Sequence, residues 1–480
     1  MNAGTAPMND RLVKETRRRW SALRAEIERH FALLWDEAEL PNMEYRSAAA
    51  LADWLTREGF EVERAPYGLP TAFIGRWHKD RQGAAPQARD RAPRIGLLAE
   101  YDALPGTGNL PVPRRESSGK RAGHACGHNQ IGPANIGAAI AARQAMDACD
   151  IAGEILVFGC PAEEIVWGKL ALLRAGAFDG CDALLTSHAD YQNGAISRPC
   201  QSVMSGEIIF TGESGHGGGV RRQNALDAAE LAVQSIERLR AHHFPDTSVE
   251  HVLRVGGHMP SVTPDEARLW LVTRHVDVAR AEAVYRFVVG VAEQAARLCT
   301  VGYREQFIAG TRGYLANDAL ARILLANLQR VGTPCYSEGD IAWLRDLARA
   351  CRPAEPFELD GGLALHDQGH DPYGQDDGEA SWHIPLARAN WAIPKQVPLH
   401  NWACSALTGH PASYPGPLMA SEALALTAIE LMTSPDALVA ARAELQRRRE
   451  GMTIAPPPLG AWNTMTAAPE RFWDATWIEN

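Results

Sequence analysis

The hydrophobic positions change period several times along the 480 residues, and the changes lay out the elements. From Leu12 to Trp35 apolar residues recur at helical spacing. A second helix is expected from Met43 to Glu58, after Asn42 as its cap and with Gly59 as its stop. "FEVERA" then alternates as a half-buried strand does. "RIGLLAEYDALPG" holds instead a short continuous apolar run ending in acids and a Pro-Gly turn, the form of a buried parallel strand. The Ala- and Gly-rich "NQIGPANIGAAIAARQAM" predicts a helix able to pack closely on a sheet. "GEILVFGC" and "ALLTSH" predict two more strands with a helix between them. This βαβαβ series predicts a doubly wound α/β domain on a mixed sheet.

After Ser202 the pattern becomes β-α-β-β-α-β, carried by "SGEIIFTGESGHGGG", "NALDAAELAVQSIERLRAHH", "HVLRVGG", "EARLWLVTRHV", "RAEAVYRFVVGVAEQAARL" and "VGYREQF". Such a run predicts a self-sufficient α+β two-layer sandwich of ferredoxin-like form. Helices resume around Ala316 to Val331 and a strand-like "RANWAIPKQVPLH" follows. Residues 203–314 are therefore expected as an insertion into a larger domain made of 1–202 and 315–480. Residues 352–380, rich in Pro, Gly and Asp, read as one long loop, and loops of that length are often functional.

Composition narrows the partners. With 46% hydrophobic residues, 22% charged residues and a net charge of -10, the chain has no basic footprint for nucleic acid, and small molecules are the expected partners. "MNAGTAPMNDRLVKETRRRW" lacks an apolar core, and no stretch reaches the roughly 18 to 20 apolar residues that a membrane span needs, so a cytoplasmic protein without membrane contact is expected. Nine cysteines at irregular spacing do not make a disulfide framework, and most are expected as buried thiols.

The chemistry gathers at the ends of the expected strands: Glu100 and Asp102, Cys126 and His128, Glu163 and Glu164, His188, and far downstream His400. Taken singly, each has a structural explanation. Their convergence carries more weight, because in an open α/β sheet the carboxyl ends of successive parallel strands face one crevice. Thiolate, imidazoles and carboxylates in one cleft suit Zn²⁺, or Mn²⁺ where oxygen ligands weigh more. One carboxylate of the Glu163–Glu164 pair could bind metal while its neighbour takes a proton from water. The rival reading makes Cys126 a nucleophile with His124 or His128 as its base, and it lacks an identifiable orienting group and oxyanion hole.

"EYDALPG", "GHACGHN", "PAEE", "TSH", "GESGHGGG" with "NALDAAEL", and "PLHNW" stand in the order found in the metallo-aminoacylase and glutamate carboxypeptidase superfamily. From about Arg17 to about Met432 the chain resembles that superfamily, above all the p-aminobenzoyl-glutamate hydrolase B group, where Asn129 also fits. The resemblance implies two divalent metal ions, Zn²⁺ or Mn²⁺. Cys126 would bridge them, with Glu164 and His400 on one and His128 and His188 on the other. It further implies Glu163 as general base and acid and Asp102 as a support for the ligands. The insertion becomes a lid and the surface of a homodimer. His216 would stabilise the oxyanion in the partner subunit's site, and Asn224 and Arg274 would touch substrate.

Four positions depart from the pattern. Ser261 replaces an amide that helps to grip substrate, Ala189–Asp190 stands where Pro-Glu is expected, and Tyr414 stands where a histidine is expected. The implied activity is hydrolysis of the amide of an N-acyl or N-aroyl amino acid, or a related small amide. The alternatives are an aromatic deaminase of the same superfamily and a noncatalytic partner subunit of a paralogous hydrolase.

Overall fold

A computed structural model of the chain describes residues 9–80, 92–219 and 223–474; residues 1–8, part of the stretch read for a leader, lie outside it. Eight strands form the main sheet, in the order Glu61–Arg64, Phe73–Lys79, Gly153–Cys160, Arg94–Glu100, Ala183–Asp190, Leu386–Ala392, Gly194–Ile196, Ala364–His366. Its four central strands run parallel, and antiparallel partners flank them. The continuous apolar runs are central because both faces are covered. Ile95, Leu97 and Leu98 are fully buried, as are Ala183, Leu184 and Leu185.

The helix His128–Cys149 explains its own composition. A Cβ on Gly132 would lie 2.4 Å from the carbonyl oxygen of Glu100, so only glycine lets the helix approach the strand end this closely. The apolar helix Pro415–Thr433 packs on it from outside, and the Trp20 indole donates to Ser421 Oγ at 3.0 Å. Among the described residues, no single helix is long and apolar enough to cross a membrane.

A second, four-stranded sheet has the order Ser248–Val255, Glu266–His275, Ser202–Thr211, Gly302–Thr311, antiparallel throughout. Numbered by their place in this unit the strands lie 2-3-1-4, the ferredoxin-like arrangement. Alternation divides the two faces of Glu266–His275: Ala267, Leu269 and Leu271 pack with the helices Ala225–His243 and Val278–Leu298. Trp270 and Val272 point the other way, toward the main body.

Two sequence expectations need correction. Residues 352–380 are not one featureless loop. Ala364–His366 pairs in parallel with Gly194–Ile196 at the edge of the main sheet, and Asp377–Ser381 forms a short helix. A three-residue strand is too short to show alternation. In "RANWAIPKQVPLH" the strand stops at Ala392, ahead of Pro394.

The last described residues, in which the sequence shows no recognisable motif, fold back over the helix-free face of the second sheet. Gly310 N donates to Pro458 O and Gly460 N to Ile308 O, both at 2.9 Å. Phe472 and Trp473 pack against Trp270, with ring centroids 5.3 and 6.3 Å away. The buried Arg254 guanidinium lies over the Phe472 ring, donates to the Phe472 carbonyl and pairs with Glu207. On the main-body side, the Trp473 indole donates to Pro41 O at 2.9 Å and the Trp167 indole to Gly460 O at 3.2 Å.

Candidate metal centre and active site

Five donors converge from four separate segments. Cys126 sits just before the helix His128–Cys149, and Gly127 takes φ +90 between Cys126 and His128, so both side chains leave the same tight turn. Glu163 and Glu164 form a 3-10 turn beyond the strand Gly153–Cys160. His188 lies near the end of Ala183–Asp190. His400 precedes the helix Trp402–Thr408, and its backbone N–H donates to Ala125 O at 2.8 Å, which ties it to the cysteine loop. Three non-glycine residues here have left-handed backbone: Ala162 (φ 55), Val166 (φ 50) and His400 (φ 56). Such strain persists only where its surroundings enforce it.

The ligand atoms form two trios that share one sulfur. Cys126, His128 and His188 make one, and Cys126, Glu164 and His400 the other, with all atoms of each trio within 4.8 Å of one another. Cys126 Sγ is 3.5 Å from His188 Nε2, and His400 Nε2 is 3.4 Å from Glu164 Oε2. Hydrogen bonds set the two buried imidazoles. His188 Nδ1 donates to Ala189 O at 2.7 Å and His128 Nδ1 to Asp102 Oδ1 at 2.8 Å, so both present Nε2 to the cleft. Asp102 Oδ2 also accepts from the backbone N–H of Glu164 at 2.9 Å, so one carboxylate orients two donors.

The electrostatics fit a cation. Burial, then the neighbouring Glu164 carboxylate, pushes the Cys126 thiol well above its usual range. Burial raises Glu164 as well, against the pull of His400 and His128. Glu163 is raised well above the carboxylate range by burial and by the Glu100 and Asp376 carboxylates. Burial lowers His188 to about 4. Anionic donors driven towards neutrality, together with His128 Nε2 and Glu164 Oε1 buried without a hydrogen-bond partner, are what a pair of divalent cations would satisfy. The thiol-nucleophile reading fares worse: His124 is buried, lowered to about 3 chiefly by burial, and its Nε2 bonds Leu34 O at 2.9 Å.

A cavity of about 640 Å³ opens onto this centre. Cys126, Glu163, Glu164, His188 and His400 line it, joined by Val166, Tyr191, Tyr373 and Leu399 and by the charged Arg198, Glu250 and Arg274. Arg274 therefore reaches the cavity from the second sheet, paired with Glu250 at 2.8 Å. Asn224 lies elsewhere: its side chain caps the helix Ala225–His243, accepting from Leu226 N and donating to Asp227. His216 and Ser261 are exposed at a small two-stranded antiparallel ribbon outside the cavity of their own chain, where Gly217 N donates to Ser261 O. Asp190 lines the cavity and accepts from Tyr373 Oη and Asn390 Nδ2; Tyr414 is buried with its ring edge-on to Phe31.

One group escaped the sequence reading. Lys169 is fully buried behind Glu163, its ammonium bonded to Glu100 Oε1 at 2.7 Å and to Asp376. Burial works against its charge, and the two carboxylates hold it well above the usual lysine range. Glu100 is drawn down to about 2, burial opposing and Lys169 prevailing. No periodicity marks a single lysine as buried, and Asp376 lies in the segment read as loop.

Residues 201–297 match the family model of a peptidase dimerisation domain, M20_dimer. The chain is 26% identical over 447 residues to a subunit of the p-aminobenzoyl-glutamate hydrolase of Escherichia coli, covering 86% of this chain and 90% of that protein. It is 27% identical over 432 residues to the Xaa-Arg dipeptidase of Homo sapiens, with 86% and 87% covered. Its fold matches a dinuclear metal-binding peptidase of the M20 family from Bacillus subtilis with a TM-score of 0.55 at 18% identity, over 86% of this chain and 99% of the other. With a dimerisation domain of this type and relatives along most of its length, the chain is similar to hydrolases that act on amide and peptide bonds.

Proposed function

We propose that this protein is a dinuclear metal-dependent amidohydrolase that cleaves the amide of an N-acyl or N-aroyl amino acid, or a related small amide, with Zn²⁺ or Mn²⁺ as its metal. The observation that carries the reading is the pair of donor trios sharing Cys126. In it His128 and His188 would hold one ion and Glu164 and His400 the other, with Cys126 as the donor common to both. Two divalent cations bound there supply Lewis acidity towards a carbonyl and lower the pKa of water. The chain's own residues do the rest. Glu163, whose Oε2 lies 3.6 Å from His128 Nε2 at the cavity wall, takes the proton of the attacking water and passes it to the departing nitrogen. Asp102 keeps His128 and Glu164 in register.

In the same reading, residues 203–314 form the lid and the surface of a homodimer. Their exposed two-stranded ribbon brings His216 to the partner's active site, where it stabilises the oxyanion. Arg274 contacts the substrate from above the cavity, and Asn224 and Ser261 contact it from the lid. The site functions in the cytoplasm, inside 1–202 and 315–480. The names of the two full-length relatives, a p-aminobenzoyl-glutamate hydrolase and a dipeptidase, support an amide flanked by an amino acid.

The experiment is turnover of a panel of N-acyl amino acids, N-aroyl amino acids and dipeptides by Zn²⁺- and Mn²⁺-loaded protein, with products identified. An amino acid released from at least one member is expected, and ammonia released without an amino acid would overturn the reading. In the same assay Glu163→Gln retains its metal and loses about 10²- to 10⁴-fold in turnover; unchanged turnover removes Glu163 from its role.

A further inference from the structure

Among the described residues there are three donor trios, and His128 belongs to two of them. Glu100, His128 and Glu163 also bring their ligand atoms within 4.8 Å of one another. His128 Nε2 faces carboxylates on every side: Glu100 Oε2 at 3.5 Å, Glu163 Oε2 at 3.6 Å and Glu164 Oε1 at 3.9 Å. Glu100 Oε2 is buried and has no hydrogen-bond partner. A cation held by His128 therefore has two directions open to it, towards Cys126 or towards the Glu100–Glu163 pocket behind.

Lys169 stands on the second route. Its ammonium occupies the other oxygen of Glu100 at 2.7 Å, and Asp376 anchors it twice, through the ammonium and through the Lys169 backbone N–H at 2.8 Å. A fixed positive charge bonded to Glu100 neutralises that carboxylate as a ligand and repels a dication approaching it.

Building on the dinuclear reading above, we propose that Lys169 is a positioning residue that keeps Glu100 out of the metal shell and so holds the two-ion register on Cys126. Without the ammonium, Glu100, His128 and Glu163 become a competent cation site of two carboxylates and an imidazole.

The probe is Co²⁺ bound to the full-length protein. Ions per chain are counted after dialysis, and the near-ultraviolet thiolate-to-cobalt absorption reports coordination by Cys126. Lys169→Met alone would leave two buried carboxylates without a counter-charge, so the reporting variant is Lys169→Met/Asp376→Asn, which neutralises the anchor and leaves Glu100 free. The wild type is expected to bind two ions with a strong thiolate band. Because His128 Nε2 can hold only one ion, the reporting variant is expected to keep two ions per chain while the band weakens. Adding Glu100→Gln to it should restore the wild-type band. A reporting variant that binds Co²⁺ like the wild type overturns the proposal, as does one that Glu100→Gln does not rescue. An unfolded reporting variant overturns it too, by making Lys169 purely structural. A wild type that binds no Co²⁺ through Cys126 removes the dinuclear reading itself, and this proposal with it.

Discussion

Asp102→Asn changes one atom pair at the point where a single carboxylate serves two donors. In the native side chain Oδ1 accepts from His128 Nδ1 at 2.8 Å and Oδ2 from Glu164 N at 2.9 Å. Asparagine offers one acceptor and one donor. If its oxygen stays on His128, its NH₂ opposes the Glu164 N–H, donor against donor, and the turn carrying Glu164 must move. If it flips, the NH₂ faces His128 Nδ1, and the imidazole must carry its proton on Nε2, where it cannot bind metal. Either arrangement disables one donor on a different ion. An unsatisfied buried group costs about 1–3 kcal/mol, or roughly 5- to 150-fold in affinity, and partners behind metal ligands are typically worth about 10- to 100-fold. A Zn²⁺ titration against a competing chelator, on protein shown by circular dichroism to be folded, reads this directly. A loss smaller than about tenfold for both ions would refute the assigned role of Asp102.

Val166 and His30 extend the reasoning to stability. Val166, β-branched and nearly buried, holds φ 50 beside the catalytic turn, a conformation costing about 1–3 kcal/mol. Val166→Gly should therefore be more stable than Val166→Ala although it removes more side chain, and thermal melts in the reverse order would contradict the strain. His30 is buried, stacked on Trp54 with centroids 4.2 Å apart, and burial lowers its pKa below the ordinary value against the pull of the Glu26 carbonyl. The unfolded chain then takes up the proton more readily, so this contribution to stability is complete above pH ~6.5 and declines as the pH falls below it. His30→Phe keeps the stack and should lose less melting temperature between neutral and mildly acidic pH than the wild type; equal losses count against this coupling.

The candidate metal donors were named from sequence because each stands at a turn that closes an apolar strand or opens a helix, and topology alone gathers such positions. The ferredoxin-like unit was legible from its alternation and from two amphipathic helices. What the sequence hid depends on partners distant along the chain. Lys169 reads as an ordinary helix lysine until Asp376, more than two hundred residues away, is folded over it. Arg274 was named through the resemblance alone, because nothing in its own strand marks that it reaches the cavity. Asn224 was named in the same way, and its side chain also caps a helix. Phe472 and Trp473 carry no periodicity because they are single anchors on a surface built from Trp270 and Arg254.

Those two aromatic residues bear on how the molecule should be handled. Phe472 and Trp473 touch the second sheet, and Trp473 reaches the main body through Pro41, so the pair acts as a latch between the two. A fluorophore or a surface linker placed at either residue would act on the latch directly. Opening it would uncover Trp270 and leave the buried Arg254 without its aromatic cover. Immobilisation chemistry is better directed to the exposed side of the helix Pro435–Arg448, where Val439 already faces solvent.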